Sequence, residues 1–120
     1  MDGLRSNSLL RALVSKTLKE VQRLVQDGIV RVSEHGYDEL AADAISVRDI
    51  VAGIAEAMVV EDYPDYPKGP CVLVRQTDSE GQLLHVVWGI PAGHTSPAVL
   101  VTAYGPDPEK WEKGFLRRRK

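Results

Sequence analysis

The chain has 120 residues, 43% of them apolar and 27% charged, with a formal net charge of −2. That length supports one core and one domain, 1–120, and the slight acidity excludes a global electrostatic footprint for nucleic acid while leaving room for a local basic patch. The single cysteine, Cys71, excludes an internal disulfide and a thiolate-built metal site; no apolar run reaches the ~18–20 residues of a membrane span and no signal peptide is apparent, so a reduced, cytoplasmic, membrane-free domain is expected.

Asn7 or Ser8 is placed to cap a helix that runs to about Asp27, with Gly28 as its stop. Its apolar positions, from Leu10 and Leu13 through Leu18 and Val21 to Val25, recur at three and four and form one stripe. A stripe of that width packs on the chain's own sheet or against a second copy, giving a homodimer through 1–28, and the first is favoured. The β-branched run Ile29–Val32 follows, an edge strand or the lead into the next helix.

Ser33 reads as an N-cap, with Val32 and Tyr37 as a hydrophobic staple. Tyr37, Leu40, Ala41 and Ala44 would then form the buried face, leaving His35 nearly opposite it beside Asp38 and Glu39. A solvated surface histidine is the plain alternative there. Ser46 opens a further helix through the capping box Ser46-Val-Arg-Asp49, and Val47, Ile50, Val51, Ile54, Ala55 and Met58 line its buried face. Arg48 falls at the edge of that face. Gly53, a costly residue in mid-helix, suggests a close approach by another element.

The remainder alternates like strands. Met58–Tyr63, Cys71–Thr77, Gln82–Ile90 and Pro97–Tyr104 form an antiparallel meander, separated by the proline-rich loop 63–70, the turn Asp78–Gly81 and the loop that holds His94. The third of these is apolar on both faces except for His85, so it should be central and covered on both sides. Strand alternation puts His85 on a face with Leu83 and Val87, and groups Leu100, Thr102 and Tyr104 together. A partly desolvated imidazole beside hydroxyls suits acid/base work; a core histidine satisfied by one hydroxyl or carbonyl is the plain alternative. After Tyr104, Asp107 and Pro108 would start a last helical turn, and within the basic tail 112–120 the end, Phe115–Lys120, should fray. No carboxylate–histidine spacing supports a metal, and no cofactor motif is present.

As an ordered set, Ser33-Glu-His35, Ile45-Ser46-x-x-Asp49-Ile50, Leu84-His85-Val86-Val87 and Leu100-Val-Thr102-Ala-Tyr104-x-Pro106-x-x-x-Lys110-Trp111 resemble the small bacterial domain-of-unknown-function family 4258. The resemblance covers about Arg31–Trp111. It implies an α+β fold, N-terminal helices on one antiparallel four-stranded sheet, of the type found in RelE-like, metal-independent endoribonucleases of toxin–antitoxin systems.

It also implies RNA or a cognate antitoxin protein as partner. In such a nuclease His85 and His35 would share the acid and base roles. Arg75 or Arg48 would clamp the phosphate, Thr102 and Tyr104 would orient it, and Trp88 would touch substrate. Two other functions fit the residues: a non-catalytic protein-interaction module on the same fold, and a small-molecule site walled by Trp88, Tyr63 and Tyr66.

Overall fold

The computed structural model describes residues 15–120. The expected helix start at Asn7 or Ser8 lies outside them. Within them α1 spans Lys16–Gln26, capped by Ser15, whose Oγ accepts the Leu18 N–H at 3.1 Å. Gly28, at φ 75°, ends it, and Ile29 N–H returns to Leu24 O at 2.8 Å to satisfy an orphan carbonyl. Thr17, Leu18, Val21, Leu24 and Val25 are all buried against the chain's own sheet, so from residue 17 to 25 the stripe is not free to make a homodimer.

Five strands form the sheet: β1 (Val30–Val32), β2 (Met58–Tyr63), β3 (Cys71–Thr77), β4 (Leu83–Gly89) and β5 (Ala98–Tyr104), in the order β1-β5-β4-β3-β2. The expected four-stranded antiparallel sheet is therefore corrected to a mixed, five-stranded one. The meander β2-β3-β4-β5 is antiparallel as read, but β1 pairs with β5 in parallel, Arg31 opposite Val99. A parallel pair needs a long crossover, and the whole helical and meander region between the two strands supplies it. The short run covers an edge of β5 that would otherwise present unpaired backbone groups.

Helix α2 (Glu34–Ala42) starts at Ser33, whose Oγ accepts the Gly36 N–H at 2.9 Å and donates to Val101 O at 2.9 Å. The expected buried face is rotated here. Gly36 and Leu40 face the sheet, while Tyr37 is 58% exposed and Ala41 and Ala44 are exposed as well. A Cβ on Gly36 would lie 2.8 Å from Val101 O, so glycine lets the helix backbone touch β5, and that approach sets the rotation.

Helix α3 (Val47–Gly53) is capped by Ser46, and Asp49 accepts from Ser79 N–H and Oγ–H, tying the helix to the β3–β4 turn. The periodicity that appeared to continue to Met58 stops early. A 3-10 turn, Ile54–Glu56, intervenes and Met58 already belongs to β2. Gly53 admits the approach its position suggested: a Cβ there would meet Gln76 Nε2 at 3.1 Å.

The helices cover the inner face of the sheet, where Val72, Val74, Leu84, Val86, Trp88, Leu100 and Ala103 meet Leu18, Val21, Leu24, Leu40, Ile50 and Ile54. On the outer face a second, smaller core joins Val60, Leu73 and Trp111, with Val87, Phe115 and Leu116 against it. The tail expected to fray is the lid of this second core. The expected helical turn after Asp107 is a plain turn, and 110–119 folds back as a hairpin, with Trp111 bridged to Arg118 and Arg119 N–H bonded to Lys110 O at 2.8 Å. Trp111 supplies the reason, since its indole can be buried only by closing onto the sheet.

Candidate functional site

His85 sits in β4 opposite Arg75 of β3 and Tyr104 of β5, and cross-strand partners share a face, so all three point to the outer side. Thr102 is on that side too, one pair along, opposite Val87. The expected grouping needs one correction. A bulge at Val101 shifts the register, so Leu100 turns to the inner core while Thr102 and Tyr104 stay outside.

The His85 ring has no exposed surface. Trp111 stands on it edge-on, with centroids 4.4 Å apart, and Tyr104 and Phe115 flank it at 5.7 and 6.4 Å. Its Nε2 lies 2.6 Å from Phe115 O, and because a carbonyl only accepts, Nε2 carries the proton. Nδ1 is buried without a partner. Burial holds the imidazole below its usual pKa, an effect that outweighs the Phe115 hydrogen bond and the Glu61 carboxylate, both of which favour the charged ring. The ring is a neutral strut beneath the hairpin, with its proton already committed.

The two arginines of this cluster are committed as well. Arg75 donates from Nη1 to Gly114 O at 2.8 Å and contacts Met58 Sδ through Nη2. Arg118 makes a two-pronged contact with Glu61, at 2.8 and 3.1 Å, and lies over the Trp111 ring at 4.6 Å. That contact, ahead of the opposing effect of burial, holds the Glu61 carboxyl below its usual range, and the Tyr63 hydroxyl adds a 2.7 Å bond to it. Burial also raises the Tyr104 phenol. Sequence reasoning missed Glu61, Trp111, Phe115 and Arg118; the only hint was Trp111, an aromatic too large to leave in solvent.

The remaining expected site residues lie elsewhere. His35 is on the open face of α2, its side chain 70% exposed and Nε2 3.5 Å from Glu39 Oε1, so it does not join His85 in an acid/base pair. Arg48 is exposed on α3, which packs on the inner side of the sheet. Trp88 is fully buried in the inner core, its Nε1–H donating to Gln76 Oε1 at 2.9 Å, so it is a core residue and not a substrate contact. Gln76 Nε2 in turn donates to Ile50 O at 2.8 Å, which satisfies this buried chain. Among the described residues no group of three or more His, Cys, Asp or Glu could hold a metal.

Among the described residues, the half of the outer face that the hairpin leaves uncovered is a groove of about 540 Å³. Cys71, Val87, Val99 and Val101 form its floor, Tyr63 and Tyr66 one wall, and Arg31 and Lys68 the charged part of its lining. Two loops stiffen the rim, since Ala92 N–H bonds Lys68 O at 3.1 Å and Ile90 N–H bonds Pro70 O at 3.0 Å. Gly69, at φ 121°, has no room for a side chain, because a Cβ would fall 2.0 Å from Ile90 O. Burial, with a smaller push from Asp62, raises the Cys71 thiol, so the floor is uncharged. Of these residues only Tyr63 and Tyr66 were expected at a site, and the third expected wall, Trp88, is on the opposite face.

No curated protein and no solved structure matches the chain. The model of one family, Domain of unknown function (DUF4258), matches residues 32–105, from the β1 end through β5, and leaves α1 and the C-terminal hairpin outside. With more than half of its length matched, including both cap motifs and the His85 strand, the chain belongs to the DUF4258 family.

Proposed function

We propose that this protein is a non-catalytic binding module, built on an α+β fold related to the RelE-like toxins, and that it binds its partner in the groove on the outer sheet face. One observation carries the reading. The imidazole on which acid/base chemistry would depend donates its Nε2 proton to Phe115 O and has no exposed surface, while the adjoining half of the same face is, among the described residues, open, stiff-rimmed and largely apolar. A general base must reach the proton that it abstracts, and a sealed ring reaches none. A groove of this size falls in the range of about 300–1,000 Å³ typical of ligand sites.

A metal-independent endoribonuclease is the second reading, favoured by the gathering of His85, Arg75, Tyr104, Glu61 and Arg118 in one place. It requires the hairpin to lift. Labelled RNA incubated with the wild type, with His85→Ala and with Arg118→Glu, which sets like charge against Glu61 and loosens the hairpin, separates the two. No cleavage by any of the three is expected. Cleavage that rises in Arg118→Glu and disappears in His85→Ala would overturn the non-catalytic reading.

A further inference from the structure

Resting on the binding-module reading, the geometry points to a ligand class: the outer groove takes a small apolar carboxylate, an anion on a flat or branched hydrocarbon body. The charge of the lining is one-sided. Arg31 and Lys68 contribute two cations, and among the described residues no Asp or Glu lines the groove. Neither cation has an ion-pair or side-chain hydrogen-bond partner among the described residues. Arg31 is held on β1 opposite Val99, so its guanidinium arises from the ordered sheet and not from a loop. A guanidinium presents a two-pronged donor face that fits a carboxylate, and Lys68 adds a point charge.

Everything else in the lining asks for hydrocarbon. The floor is valine with a protonated Cys71, and it offers no charged group to pair with a cationic ligand. The Tyr63 hydroxyl proton is already donated to Glu61, so toward an anion Tyr63 offers only the edge of its ring and toward hydrocarbon its face. Among the described residues Tyr63 and Tyr66 are both about half exposed, and each presents a large aromatic surface. Aromatic walls, an apolar floor and one cationic side match an amphipathic anion better than a sugar or a nucleotide, whose hydroxyls would find few partners.

Titration of the full chain with 2-naphthoate and with its uncharged isostere 2-naphthamide, followed by backbone amide NMR, tests this. Naphthoate should shift the amides of Val87, Val99 and Val101, and naphthamide should bind about tenfold more weakly, as expected for the loss of a charge-assisted contact. Arg31→Gln should reduce naphthoate to the affinity of the amide and leave naphthamide unchanged; Lys68→Gln should weaken naphthoate less. Equal affinities for acid and amide would overturn the carboxylate class while leaving the groove as a binding site. If neither probe moves the groove amides, the ligand class falls; should an RNA oligomer or an acidic peptide then move them, the binding module stands with a macromolecular partner. Shifts confined to other surfaces overturn both.

Discussion

Gln76 and Gly36 show how much single positions decide here. The Gln76 amide accepts from Trp88 and donates to Ile50 O, bridging β3, β4 and the middle of α3 inside the core. Gln76→Leu would leave an indole N–H and a backbone carbonyl buried and unpaired. Its expected cost is about 2–4 kcal/mol, read from urea unfolding at constant m-value. At Gly36, alanine would ordinarily favour the helix by about 1 kcal/mol. Here the added methyl would press on Val101 O and Leu100 O, backbone atoms that cannot turn away. Gly36→Ala is therefore expected to destabilise by about 1–2 kcal/mol on urea unfolding, opposite in sign to its propensity. The wrong expectation for Tyr37 has the same origin: counting apolar positions gave Tyr37 the buried place because it could not register that a missing side chain brings the backbone in.

Among the elements, the C-terminal hairpin depends most on pH. Burial depresses the His85 pKa from its ordinary 6.5, so the unfolded or undocked chain binds a proton that the docked state refuses. Its contribution to stability is full above about 6.5 and is lost as pH falls below that value. Glu61 is also depressed, from 4.5 and chiefly by Arg118, so its contribution is present above about 4.5 and is lost only below it. The hairpin is thus expected to loosen through His85 as pH falls below about 6.5, while the Glu61–Arg118 contact still holds. Tryptophan fluorescence should report this, since Trp111 stands on the His85 ring. His85→Gln, which keeps an N–H donor but cannot charge, should flatten the response. A response unchanged in His85→Gln would assign the transition to another group.

For the whole molecule, the sheet separates two cores of unequal size. The inner one is built by α1, α2 and α3; the outer one exists because the hairpin closes over Leu73 and Val60. Deletion of 107–120 is expected to leave the helical signal in circular dichroism, lower the melting temperature and promote self-association through the exposed outer face. It should also return the His85 pKa toward 6.5 in an NMR titration. A deleted chain as stable and monomeric as the wild type would contradict the outer core. The groove lies beside that hairpin on the same face, so the charged positions that line it, Arg31 and Lys68, come from the two ends of the sheet order and far apart in the chain.

Local patterns alone determined a good deal. Capping chemistry placed Ser33 and Ser46, glycine stopped α1 at Gly28, and period-two alternation located β2 to β5 and the central place of β4, because these signals act within a few residues. The tertiary structure decided what needed partners distant in sequence: β1 added in parallel to β5, the bulge that separates Leu100 from Thr102, and the rotation of α2 by its glycine. It also decided the fate of His85. The sequence could set the ring mid-sheet among hydroxyls, but whether it opened to solvent depended on a tail thirty residues later, whose indole is buried only by folding back over the ring.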